Sequence, residues 1–147
     1  MYSHVVVGAR DLLESKTFYD AIFVYLELDE QGYDALQRLF YRQGTQRFII
    51  TKPINGQEAT YANGGTIGFE LTTAEAVYAW HKAGCDNGGA SAETPPHVRP
   101  DGKCIAYLRD PVGNKLCAYA QTVVWEGDIP LDSLRIGLQP IRLSSVL

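Results

Sequence analysis

A chain of 147 residues is long enough to bury a core without disulfides or metal, as one domain or as two small modules sharing that core. With 46% apolar residues, 20% charged residues and a net charge of −4 that includes no basic block, it excludes a nucleic-acid phosphate backbone as partner. No apolar run approaches the ~20 residues that span a bilayer, no leader-like start is evident, and three cysteines without CxxC spacing read as reduced thiols, so a cytoplasmic location with no membrane partner is expected.

In chain order, His4-Val5-Val6-Val7-Gly8 reads as an apolar strand. Asp11 with Glu14 has capping-box spacing and starts a helix whose Phe18, Ile22, Tyr25 and Leu26 recur at helical period. Tyr33 to Arg42 and Arg47 to Thr51 read as strands separated by a turn at Gln43-Gly44-Thr45, and Pro53 ends the run. Residues 54–65, with Asn55-Gly56 and Asn63-Gly64-Gly65, read as a linker.

The opening pattern then recurs 62 positions on, as Thr66-Ile67-Gly68-Phe69-Glu70-Leu71-Thr72-Thr73. Thr72 with Glu75 repeats the capping spacing, Val77 and Trp80 give a buried stripe, and Gly84 is the expected stop. The Gly/Pro-rich stretch 88–102 reads as a loop. Strands follow from Cys104 to Arg109 and from Lys115 to Gln121, joined by Asp110-Pro111-Val112-Gly113-Asn114.

The fold expected is α+β: two βαβββ modules, about 1–62 and 63–121, forming a cupped, incompletely closed eight-stranded mixed barrel. Residues 122–147 form a C-terminal extension that carries Trp125 and is expected to pack on the body or on a second subunit.

Strand alternation narrows the site. His4, Val6 and Gly8 share a side, as do Thr66, Gly68 and Glu70. The five-residue turn sets Arg109 across from Lys115, Tyr107 across from Cys117 and Ile105 across from Tyr119. If that face is concave, one cup holds His4, Thr66, Glu70, Tyr107, Arg109, Cys117 and Tyr119; a one-residue slip reverses the assignment.

Three segments in this order resemble the glyoxalase/bleomycin-resistance/dioxygenase, or vicinal oxygen chelate, superfamily. They are His4 through Asp11 to Phe18-Tyr19-Asp20, Thr51-Lys52-Pro53 to Gly64-Gly65-Thr66-Ile67-Gly68-Phe69, and Tyr107 to Lys115, which is similar to the family's DPxGN hairpin. The resemblance covers residues 2–121 and implies the paired-module barrel. It also implies a divalent ion held by His and Glu at four cup-facing positions, acting as a Lewis acid in the metal-dependent members. His4 stands at the first of these. Thr66 occupies the second module's histidine position, Cys117 the last glutamate position, and the remaining one falls near Ile49 or Thr51. This ligand set is incomplete, so no cofactor is expected; the alternative kept open is a divalent metal with His4 as its ligand.

The function expected is that of a small-molecule enzyme of lyase or isomerase type, related to lactoylglutathione lyases, with His4 and Glu70 as acid–base residues. Thr66, Tyr107, Arg109, Cys117 and Tyr119 would contact the ligand. Two other readings stay open: a bleomycin-resistance-like protein that binds or sequesters a small molecule, and an assembly module whose cup its own tyrosines fill. A homodimer is expected.

Overall fold

The structure, a computed structural model, describes residues 1–122; the expected extension falls, beyond Thr122, outside the described residues. The elements are β1 (His4–Gly8), α1 (Leu12–Phe23), β2 (Glu30–Tyr33), β3 (Leu39–Gln43), β4 (Gln46–Thr51), β5 (Ile67–Glu70), α2 (Ala74–Asp86), β6 (Ala90–Ser91), β7 (His97–Val98), β8 (Lys103–Arg109) and β9 (Lys115–Gln121). They make two mixed sheets, ordered β1-β4-β3-β2 and β5-β9-β8-β6, with β7 also paired to β8, and neither closes into a barrel. This is the α+β paired-module fold expected. Among the described residues no helix is long and apolar enough to cross a membrane.

In each module the first strand pairs in parallel with the last, His4 beside Arg47 and Ile67 beside Leu116. Val6 lies beside Ile49 and Gly68 beside Cys117, so the register makes Ile49 the first-module counterpart of Cys117 and His4 the counterpart of Thr66.

Several elements differ from the sequence expectation for local reasons. The strand expected over residues 33–42 is two strands with a turn between, because the Asp34 carboxylate accepts from Leu36 N and Arg38 N and holds Arg38 Nε at 2.7 Å. The stretch 88–102, expected as a loop, holds two short strands, β6 and β7, both paired with β8; Glu93 at φ 53° and Pro95 and Pro96, with no N–H to donate to a ladder, keep them from joining into one. Asp11 caps α1 as expected, accepting from Leu13 N at 2.8 Å and Glu14 N at 3.3 Å. The α2 cap is Thr73 rather than Thr72, accepting from Ala76 N at 3.0 Å.

Gly84 does not stop α2. It lies inside the helix, where an added Cβ would come 2.3 Å from Leu108 Cδ1 and 3.2 Å from Phe18 Cε2, so its lack of a side chain lets α2 meet both. The chain turns away at Gly88, where φ is +98°.

One core serves both modules. Phe18, Ile22, Val77 and Trp80 are fully buried, and Phe23 of the first module meets Phe69 of the second edge-on at 5.2 Å. Each such side chain contributes roughly 1.5–3 kcal/mol by leaving water. A buried polar knot adds a second tie. Asp110 accepts from Val112 N, Gly113 N and Asn114 N, each at 2.9 Å, from Asn114 Nδ2 at 2.8 Å and from Tyr19 of α1 at 2.6 Å. Asn114 Nδ2 also reaches Gly8 O at 3.3 Å, and Arg10 donates to Pro111 O.

Candidate functional site

A cleft suited to a small molecule lies between the modules, where the edge strands β1 and β5 meet it above the end of α1. It has a volume of about 480 Å³. Its wall is apolar and largely aromatic, built from Val5, Phe23, Leu26, Leu28, Tyr41, Phe48, Ile67 and Phe69. Val5 and Phe48 point to this side because strand alternation puts Val6 and Ile49 on the opposite face. Tyr2, His4, Gln43, Gln46, Arg47 and Thr66 supply polar groups.

The sequence-predicted residues divide between this cleft and the open face of the second sheet. His4, exposed at the head of β1, lines the cleft and shares a hydrogen bond of 2.8 Å between its Nδ1 and Ser3 Oγ. Thr66 lines it too. The others stand on the open face, in the register read from the hairpin: Arg109 opposite Lys115, Tyr107 opposite Cys117, Ile105 opposite Tyr119, with Glu70 beside Tyr119. None of Glu70, Tyr107, Arg109, Cys117 and Tyr119 lines the cleft.

On the open face these side chains engage one another. Tyr119 donates to Glu70 at 3.2 Å; the Glu70 charge, then burial, raise the phenol above its ordinary value. The Arg109 guanidinium donates to Gly113 O at 2.9 Å and lies 5.1 Å from the Tyr61 ring centre. Lys115 pairs with Glu93 and lies 5.1 Å from the Tyr107 ring centre. Cys117 is 8% exposed, and burial pushes its thiol up although Lys115 and Arg99 pull it down.

The positions that the resemblance assigns to metal ligands do not make a metal site. By register they read His4, Ile49, Thr66 and Cys117: one imidazole, one hydroxyl, one aliphatic group and one thiol biased toward its protonated form. Among the described residues no three His, Cys, Asp or Glu side chains converge on one point. A hard divalent ion wants several oxygen donors, and catalytic zinc normally has three protein ligands.

Sequence reasoning missed most of the cleft. Tyr41 and Phe48 entered only as positions within strands and Gln43 only as a turn residue, while Phe23 and Gln46 were not singled out. Their one legible signal was the repeat itself, which implies a crevice between its copies.

No protein-family model matches the chain, and no curated protein sequence matches it. Solved structures do. A glyoxalase/bleomycin resistance protein from Albidiferax ferrireducens T118 is 48% identical, with a TM-score of 0.76 over 82% of this chain and 98% of that one. A glyoxalase-related enzyme from Fulvimarina pelagi is 17% identical, with a TM-score of 0.68 over 88% of this chain and 95% of that one. A lactoylglutathione lyase from Agrobacterium tumefaciens is 19% identical, with a TM-score of 0.59 over 83% of this chain and 94% of that one. The last two show the fold alone. The Albidiferax protein, matched over nearly its whole length at this identity, goes further: the chain belongs to the glyoxalase/bleomycin-resistance/dioxygenase superfamily.

Proposed function

We propose that this chain binds a small molecule without transforming it, and that the ligand lies in the cleft between the modules. The observation that carries the reading is the separation of the two acid–base candidates. His4 lines the cleft and Glu70 does not; Glu70 is hydrogen-bonded to Tyr119 on the open face. Lyase chemistry of the glyoxalase type, with these two as the proton-transfer pair, needs both within reach of one substrate. Binding needs only shape, apolar wall and a few polar groups, and the cleft has them. The proposal carries no metal and no nucleic-acid or membrane partner.

We include a homodimer in the proposal. Val6, in the middle of the open face of β1, is 46% exposed, and nothing among the described residues covers it. Sedimentation equilibrium checks this; a monomer at all concentrations would remove it.

The test of function is thermal denaturation against a panel of small aromatic and thiol-conjugated compounds, followed by mass analysis of the recovered ligand. The expected result is stabilisation, about 2.7 kcal/mol at a hundredfold excess over Kd, with the ligand returned unaltered. A converted ligand would restore the lyase reading for His4 and Glu70.

A further inference from the structure

Away from the cleft, the last turns of α2 carry a pair of metal-binding side chains. His81 and Cys85 stand one turn apart on one face of the helix, with Cys85 Sγ 4.0 Å from His81 Nε2. The same Nε2 shares a hydrogen bond of 2.9 Å with Ser91 Oγ. Ser91 reaches it from β6, where the register sets it beside the fully buried Leu108, on the side that meets α2 at Gly84. The turn between helix and strand is closed at Gly84 O, which accepts from Asn87 N at 3.2 Å and from Gly89 N at 2.9 Å. The backbone therefore holds the three side chains together.

The pair is accessible and chemically matched. Cys85 is the exposed cysteine, whereas Cys104 and Cys117 are buried. Burial holds the His81 imidazole below its ordinary value, so near neutrality it is uncharged and offers a lone pair. Burial, then the Asp86 charge, raise the Cys85 thiol, so an ion that binds there must displace a proton. Bonds from a metal ion to an imidazole nitrogen and to a thiolate sulfur are each about 2 Å long, so an ion seated nearly in line between the two needs them about 4 Å apart. Two donors are too few for zinc, but one thiolate and one imidazole suit a soft, closed-shell monovalent ion, which accepts two ligands.

We propose that His81 and Cys85 form a two-coordinate site for a soft monovalent cation of the copper(I) class. Neither residue lines the cleft, so the site does not depend on what the cleft binds. On binding, the Cys85 proton leaves to solvent, the ion takes the Nε2 lone pair, and Ser91 gives up its hydrogen bond.

Titration with copper(I), supplied from its bicinchoninate complex under ascorbate, tests the site. Iodoacetamide alkylation followed by peptide mass spectrometry gives a second readout in the unmutated protein, independent of how any variant folds. One copper(I) per chain is expected, with alkylation of Cys85 slowed about tenfold or more. Cys85→Ser should abolish binding, and His81→Gln should weaken it about tenfold or more. Ser91→Ala should bind as tightly or more tightly, because a competitor for Nε2 is gone. Zinc at the same concentration should leave Cys85 open to alkylation. Copper(I) held as tightly by His81→Gln as by the unmutated protein would mean a bare thiol and overturn the pair. Equal protection by zinc, weaker binding in Ser91→Ala, loading at Cys104 or Cys117 with Cys85 left open, or no uptake at all would each overturn the site as well.

Discussion

Asp110 has five hydrogen-bond donors aimed at it and is 4% exposed. Such a carboxylate organises its turn and also holds a tyrosine of the other module. Asp110→Ala would strand Tyr19 Oη and the buried N–H groups of Val112 and Asn114, which donate to the Asp110 carboxylate. A loss of about 3 kcal/mol or more is expected in urea denaturation. Tyr19→Phe removes one donor of five and should cost about 1 kcal/mol. Near-equal losses would mean that the tyrosine, and not the turn, is what Asp110 serves. Cys117 poses a different question at the same scale. Its raised thiol and its burial predict slow alkylation near pH ~8, at least about tenfold slower than the exposed Cys85, with the rate climbing as pH rises. Peptide mass spectrometry after timed iodoacetamide treatment measures this. If Cys117 reacts first, it is an activated nucleophile and the binding proposal needs revision.

At the scale of elements, close approach decides what replaces what. Gly89, just before β6, leaves room for two carbonyls: an added Cβ would stand 2.8 Å from Arg109 O and 2.9 Å from Gly84 O, neither of which can swing aside. Gly89→Ala should therefore cost about 2 kcal/mol, read as a shift in the urea midpoint at constant slope. An unchanged midpoint would show that β6 yields. The same contacts explain which elements the sequence disclosed. The β8–β9 register was legible because Asp110 to Asn114 has a length and composition that leave few ways to turn. The α1 cap was legible because Asp11 has no competitor beside it. Thr72 and Thr73 compete for the same role, and only the chain path chooses Thr73. Gly84 looked like a stop because its real reason, contact with Leu108 and Phe18, lies in other elements. The strand over residues 33–42 looked continuous because its interruption depends on where the Asp34 carboxylate turns.

For the whole molecule, the duplication, its α+β architecture and a crevice between the copies could be read from periodicity, whereas the residues that line the crevice could not. Strand alternation says which residues share a face; it says nothing of how two sheet edges stand to each other. The cup anticipated from one face therefore resolved into an interior cleft with His4 and Thr66 and an open face with the other five residues. The shared core also sets the protein's response to alkali. Burial pushes the thiols of Cys104 and Cys117 above their ordinary 9.0, and burial together with the Asp110 charge raises Tyr19 well above 10.0. The folded chain then keeps protons that the unfolded chain releases. This stabilisation is complete below about pH 9 and is lost as pH climbs through the folded values. Urea midpoints should be flat from neutrality to about pH 8 and fall beyond about pH 9; a rise there would contradict the sign.

The parallel pairing of each module's first strand with its last has a further outcome, in time. His4 waits for Arg47, and Ile67 for Leu116, before either strand has a neighbour. During synthesis each module remains without its outer rung until its final strand has left the ribosome, so assembly proceeds in two lumps and not residue by residue. A chain halted inside either module carries a bare apolar strand with no mate of its own, and such an edge pairs with whatever other chain offers one.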